Sequence, residues 1–355
     1  MEPHYSKIHV KFKLDAVSYT KARLTDLAYC YIKEGLQYQK EIGLFLQDWL
    51  DANNYVFVQT SGSTGIPKKI KIYKQAMVNS AIATGDFFNL KPGDSILHCL
   101  PSKYIAGKMM FVRALILGLD LKVIEPTIYP NINTVKHYNF CAFIPMQLQN
   151  SLDKLQNITT IIVGGGRVSN TLRNKISTLK PNIYETYGMT ETVTHIAVKQ
   201  INNIAPVTKQ YLFKTLPHVS ISIDNRSCLV IDAPKILKEK IITNDIVKLH
   251  SKKTFSWLGR FDHVINTGGV KVYPETIEEK LQEKIDHRFF ITSLDDDTLG
   301  QRVILVIEGE TFNVEQAIFK ALEKYEKPKQ IFFVKAFKET DTGKVNRNQT
   351  LKAII

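Results

Sequence analysis

Apolar positions along the first two-thirds of the chain switch between two spacings. "NYVFVQT" reads as a strand, and "KQAMVNSAIATGDFF" as a helix with apolar residues at helical intervals. "DSILHCLP" predicts a second strand, followed by the helical "AGKMMFVRALILG" and the strand "LKVIE". "FCAFIP", "TTIIVGGG" and "NIYETYG" continue the series, with helices between them. This βαβα rhythm implies an α/β fold with a largely parallel sheet covered by helices. Ligands on such sheets gather where strands end and loops begin. Thr60, Gly164 and Tyr187 all fall at predicted strand ends.

After about residue 200 the rhythm changes. "VSISID", "CLVID", "DIVKLH" and "TFSWLG" are short strands separated by turns, which predicts a small β-subdomain. "GRFDHVINTGGVKVYPETIEEKLQEKI" then runs from a glycine-bearing loop into a helix opened by Pro274. The tail predicts strand "FFITSL", strand "RVILVIEG", helix "VEQAIFKALEKY" and strand "QIFFV", a small α+β domain. A boundary near Arg260 to Asp262 divides the chain into 1–261 and 262–355. A length of 355 residues suits two domains better than one core.

Composition narrows the class without naming it. Hydrophobic content is 44% and aromatic content 10%, as in ordinary globular proteins. No apolar run approaches the ~20 residues of a membrane span; "RALILGLDLKVI" is interrupted by Arg113, Asp120 and Lys122. The first fifteen residues lack the apolar centre of a signal peptide. Cys30, Cys99, Cys141 and Cys228 are scattered, with no CxxC pair, which fits a reducing cytoplasm. The net charge of +13 is spread along the chain and no nucleic-acid module accompanies it. Small polyanionic ligands therefore account for the charge better than nucleic acid does.

One loop has the chemistry of a phosphate site. In "TSGSTGIPKK" the backbone N–H groups of a glycine-rich turn can cradle phosphate oxygens. Ser61, Ser63 and Thr64 add hydroxyls, and Lys68 adds charge. The spacing is not GxxxxGK[ST], since Pro67 precedes Lys68 and Lys69 follows it, so this is no Walker loop.

Three further stretches, "YETYGMTET", "GRFDHVINTGGVKVYP" and "TDTGKVNRN", follow in order. The set resembles the adenylate-forming superfamily of acyl-CoA synthetases, adenylation domains and luciferases, from about Tyr55 to Asn348. The resemblance implies ATP, Mg²⁺ and CoA as ligands, and a small C-terminal domain that is mobile. It implies that Thr60, Ser61, Gly62, Ser63, Thr64, Gly65 and Lys68 hold the β- and γ-phosphates. Thr190 would donate to the α-phosphate, and Glu191 would bind Mg²⁺. Tyr187, with Gly188 and Met189 after it, would stack on adenine, with Gly164, Gly165 and Gly166 along the other side of the nucleotide. Asp245 would accept from the ribose hydroxyls, although relatives more often carry glycine where Asn244 stands. Arg260 would add a second ribose or phosphate contact. Lys344 would bridge the attacking carboxylate and the α-phosphate. A hinge at Asp262 would then present Gly268 and Gly269 to the pantetheine arm of CoA.

The acid is less well marked. "VGGGR" with "YGMTETVTHIA" looks most like the o-succinylbenzoate–CoA ligases of menaquinone biosynthesis, and the short stretch before the phosphate loop suits a compact bacterial enzyme. Where the family commonly has a histidine gate beside the acyl pocket, "SKYIAGKMM" offers Tyr104. Tyr104 either walls the pocket or packs in the core, and His195 either borders the pocket or sits on a strand. Arg167 and Lys103 are both candidates for a second substrate carboxylate. A ligase for another aryl or short acyl acid, or an adenylating protein serving a carrier protein, stays open.

Overall fold

The computed structural model describes residues 3–59, 69–204, 212–339 and 345–354. A short antiparallel pair, β1 (Lys13–Leu14) and β2 (Val17–Ser18), precedes the helices α1 (Lys21–Glu34) and α2 (Gln37–Leu50). Next come β3 (Tyr55–Gln59), β4 (Lys69–Tyr73), α3 (Lys74–Phe88), β5 (Ser95–His98), α4 (Ile105–Leu117) and β6 (Asp120–Val123). β7 (Tyr138–Phe143), α5 (Pro145–Gln149), β8 (Ile158–Val163), α6 (Asn170–Ile176), β9 (Asn182–Gly188) and β10 (His195–Gln200) follow.

Five of these strands form a parallel core in the order β6-β5-β7-β8-β9. The chain moves from β5 to β6 on one side, then returns to lay β7 on the other. The carboxyl ends beside that reversal form the crevice in which doubly wound sheets bind ligands. β7 and β8 are buried at nearly every position, as parallel strands covered on both faces must be. α4 is buried continuously from Gly107 to Ile116, which explains an apolar run without a polar stripe.

The expected β-subdomain is an extension of the same sheet. β11 (Phe213–Thr215), β12 (Ser220–Ile223), β13 (Cys228–Asp232), β14 (Ile241–Ser251) and β15 (Thr254–Arg260) continue antiparallel beyond β10. β3, a strand as expected, stands outside that sheet and, among the described residues, pairs only with β4. Its alternation gives the reason: Val56 and Val58 are buried while Phe57 between them is 53% exposed, the mark of a hairpin covered on one face.

The C-terminal residues build a second sheet from β16 (Ile265–Thr267), β17 (Val270–Val272), β18 (Phe289–Asp296), β19 (Gly300–Glu308) and β20 (Gln330–Val334). α7 (Pro274–Leu281) opens with Pro274, and α8 (Arg347–Lys352) closes the described chain. Ile277 and Leu281 of α7 share a buried cluster with Ile291, Val303 and Leu305. The helix expected over "VEQAIFKALEKY" is only a 3₁₀ turn at Gln316–Ala321. Phe319 and Leu322, three residues apart, both enter the core, and a three-residue period favours the tighter helix.

Candidate active site

The carboxyl ends of β8 and β9 bring two of the sequence motifs side by side. After β8, the Gly164 N–H donates to the Phe143 carbonyl at 3.0 Å, and Gly165 takes the left-handed conformation with φ 79°. A Cβ on Gly164 would lie 2.8 Å from Thr186 Oγ1, so glycine lets this segment lie against β9. Gly188, at the end of β9, is tighter still. A Cβ there would meet the Thr194 carbonyl oxygen at 2.4 Å and His195 Cα at 2.5 Å, both backbone.

Tyr187 and Asp245, given separate roles by the sequence, are joined. The Tyr187 hydroxyl donates to Asp245 Oδ2 at 2.6 Å, and the Trp257 indole N–H donates to Oδ1 at 3.1 Å. The Tyr187 ring sits edge-on to Phe213 and Phe255. Burial, reinforced by the Asp245 carboxylate, raises the Tyr187 pKa far above its usual range, so the phenol stays a donor. A carboxylate has about four lone-pair sites. Two are taken, which leaves Asp245 capacity for a pair of ligand hydroxyls. Arg260 lies 4.0 Å from Asp245 but is engaged by Asp262, through Nε at 3.0 Å and Nη2 at 3.3 Å. Asn244 accepts from Arg226 Nη1 at 3.2 Å, and that guanidinium stacks on Phe261, next to Asp262.

The loop from Met189 to Thr194 is strained. Thr190–Thr192 forms a 3₁₀ turn, and Val193 follows at φ 66°, ψ −54°. The Thr194 N–H donates to the Thr192 carbonyl at 2.7 Å, which closes a γ-turn of the rare positive-φ kind. Holding a β-branched residue there costs about 1–3 kcal/mol. Thr192, fully buried, locks the turn. Its hydroxyl accepts from the Met189 N–H at 3.0 Å and lies within 2.9 Å of the Met189 carbonyl and 2.7 Å of the Thr194 carbonyl, donating to one of them. Thr190 is left half-buried and Glu191 exposed. Thr192 and Val193 join Thr190 and Glu191 in shaping this turn, and the threonine run "MTETVT" is their signal in the sequence.

His195 pairs in register with Gly188 and is buried, at 5% exposure. Its Nδ1 is 3.4 Å from Thr194 Oγ1 and its Nε2 3.5 Å from Thr84 Oγ1. Burial, then the positive charge of Arg113, hold it well below its usual pKa, so the ring is neutral. Arg113 itself is 2% exposed. Its Nη1 contacts Met110 Sδ at 3.7 Å, while Nε and Nη2 have no acceptor among the described residues. Burial pulls its pKa down to about 9, which still leaves it charged at neutral pH. An unpaired guanidinium is expensive to bury, and its presence calls for an explanation.

The two cations weighed from sequence are disposed differently. Arg167 reaches towards α7, where it pairs with Glu279, donates to the Glu275 carbonyl at 3.2 Å and lies over the Trp257 ring. Lys103 sits 4.9 Å from the centre of the half-buried Tyr104 ring, at the start of α4. Arg113 was noted only as a break in an apolar run. An arginine inside a largely apolar helix, whose other charged residue is Lys108, was the clue. His98, at the end of β5, bonds Ser102 Oγ through Nε2 at 3.1 Å, and burial lowers its pKa to about 3.

Gly268 and Gly269, at φ 57° and 78°, form the two-residue turn between β16 and β17. Thr60, Ser61, Gly62, Ser63, Thr64, Gly65, Lys68 and Lys344 lie outside the described residues.

With these features in place, comparison with known proteins gives the class. The AMP-binding enzyme family matches residues 15–238, and the chain belongs to that family, as its motifs implied. The chain is 25% identical over 325 residues to the 2-succinylbenzoate–CoA ligase of Lactococcus lactis subsp. lactis (strain IL1403), covering 85% of this chain and 72% of that one. It is 34% identical to an acyl-CoA synthetase (AMP-forming)/AMP-acid ligase II-like protein from Dyadobacter fermentans DSM 18053, covering 93% of this chain and 98% of that one, with a TM-score of 0.62. The o-succinylbenzoate coenzyme A synthetase of Bacillus subtilis, solved with ATP and magnesium ion, shares the fold at a TM-score of 0.70 and 18% identity, covering 83% of this chain and 69% of that one.

Proposed function

We propose that this chain is an AMP-forming acid–CoA ligase whose acid is a dicarboxylate, 2-succinylbenzoate. The curated relatives bearing that name support the reaction, and Arg113 carries the reading of the acid. A buried, charged, unpaired guanidinium beside His195 is a receptor for an anion that arrives with the substrate. The carboxylate that is not activated supplies that anion, and neutral His195 adds no competing charge. Tyr104, half-buried at the start of α4, remains the candidate wall for the acid's aromatic ring.

In the first step a carboxylate oxygen attacks the α-phosphorus of ATP and pyrophosphate leaves. Two anions must meet, so donors and cations have to be positioned before the reaction begins. Gly164–Gly166 and Tyr187 flank the adenine, while Asp245 takes the ribose hydroxyls on its two remaining acceptor sites. Thr190 donates to the α-phosphate, and the strained turn at Val193 fixes its direction. The loop Thr60–Lys68 holds the outgoing pyrophosphate, and Lys344 bridges the carboxylate and the α-phosphate. The exposed carboxylate of Glu191, beside threonine hydroxyls, is an oxygen donor set that suits a hard cation retaining water and phosphate ligands. Magnesium bound there would withdraw charge from the phosphates.

In the second step the CoA thiol attacks the acyl carbonyl, and AMP leaves with the bridging oxygen. Rotation about Asp262 between the steps, presenting Gly268 and Gly269, and a division at 261/262 belong to the same proposal. No helix among the described residues is long and apolar enough to cross a membrane, and a cytoplasmic location fits the ATP and CoA it consumes.

The test is a panel of acids supplied with Mg·ATP and CoA, with pyrophosphate and thioester both followed. 2-Succinylbenzoate should exceed benzoate and short fatty acids in kcat/KM. Preference for a monocarboxylate would refute the assignment of the acid.

A further inference from the structure

The seam between α6 and α7 is built from donors on one side and acceptors on the other. Arg173 Nη1 donates to Glu279 Oε1 at 3.2 Å, and Arg167 Nη2 to Glu279 Oε2. Asn170 Nδ2 donates to the Glu279 carbonyl at 3.1 Å, and Arg167 Nη1 to the Glu275 carbonyl at 3.2 Å. Asn174 Nδ2 donates to Glu283 Oε1 at 2.8 Å. Arg167 follows directly on Gly164–Gly166, so the position of α7 is tied to a segment assigned to the nucleotide.

The seam is also able to part. Arg173 is only 10% exposed and would be costly to strand, but Glu185 holds it independently at 3.3 Å, and Lys199 shares that carboxylate at 2.7 Å. Arg167 and Glu279 are about one-third exposed, so water can solvate both once they separate. Burial pushes Glu279 up, yet Arg167 and Arg173 outweigh it and keep the carboxyl ionised. Removing Glu279 therefore leaves Arg173 held by Glu185, a carboxylate it shares with Lys199.

We propose that Glu279 is a positioning residue whose grip on Arg167 and Arg173 selects the present arrangement of α7, and whose release separates the two half-reactions. This rests on the two-step ligase reading. The test uses full-length Glu279→Gln, Glu279→Ala, Arg167→Gln and the double variant Glu279→Gln/Arg167→Gln. Adenylation is read as acid-dependent ATP–pyrophosphate exchange, and transfer as thioester formed from supplied acyl-adenylate and CoA.

One half-reaction should rise and the other fall, changing their ratio by about two- to fivefold, as a partly exposed pair allows. Glu279→Asp, measured beside these, should shift the ratio less than Glu279→Gln, and the double variant should shift it no further than the larger single change. Thermal midpoints should stay within a few degrees of the parent. An unchanged ratio, an equal fall in both half-reactions, or full additivity of the two Gln changes overturns the proposal. A parent protein with no acid-dependent exchange overturns the ligase reading, and the latch with it; an active parent with an unmoved ratio overturns the latch alone.

Discussion

Replacing Arg113 by methionine separates a binding role for that residue from a structural one. Methionine keeps an unbranched stem in a helix that already contains Met109 and Met110, and removes the guanidinium. The two donors without partners, Nε and Nη2, are each able to make a charge-assisted bond to a carboxylate. Such bonds contribute about 1.5–3 kcal/mol apiece, or about 3–6 kcal/mol together. At about 1.4 kcal/mol per tenfold, kcat/KM for 2-succinylbenzoate should fall by about 10²–10⁴. Benzoate, which lacks the second carboxylate, should lose nothing, and the KM for ATP should stay within about twofold of the parent value. Without substrate, the variant should be as stable as the parent or more so, because an unpaired buried charge has been replaced by an apolar chain. The assays are pyrophosphate release against acid concentration and a thermal melt with and without acid. Equal losses for both acids, or a large drop in the melting temperature of the free protein, would refute the argument.

Three other changes test neighbouring parts of the account. Asp245→Asn keeps the volume but removes an acceptor needed by Tyr187, Trp257 or a ligand hydroxyl; ATP affinity by calorimetry should fall about 10- to 100-fold while the acid's KM hardly moves. Gly188→Ala drives a methyl group into the backbone of Thr194 and His195, so denaturation should report a loss of about 1–3 kcal/mol or more, along with activity. His98 has a native pKa near 3 against 6.5 when unfolded, so its contribution is complete above pH 6.5 and declines as pH falls towards 3. Urea unfolding at pH 7 and pH 5 should show that decline, and His98→Gln should lessen the slope by up to one proton, about 1.4 kcal/mol per pH unit.

The parts of the site legible in the sequence are those where chemistry is local to a motif. The glycines after β8 and "YETYG" at the end of β9 announce themselves because strand, turn and glycine are contiguous. Arg113 was not legible as a candidate for the acid because its meaning comes from burial and from missing partners, which only packing creates. The bond from Tyr187 to Asp245 joins residues 58 positions apart, and neither motif implies it. β3 was recognised as a strand, but not its pairing with β4, since periodicity reveals which face is buried rather than which neighbour covers it. The 3₁₀ turn at Gln316–Ala321 shows helix-forming residues yielding to the needs of the core.

The central claim is that a carboxylate attacks the α-phosphate of ATP before the thiol attacks the acyl group. An acid labelled with ¹⁸O in its carboxylates, incubated with ATP, CoA and the enzyme, tests this in one mass spectrum. The attacking oxygen remains with phosphorus when the thiol displaces AMP, so each thioester formed should yield one AMP carrying one ¹⁸O. Unlabelled AMP, or ADP and phosphate in its place, would contradict the account.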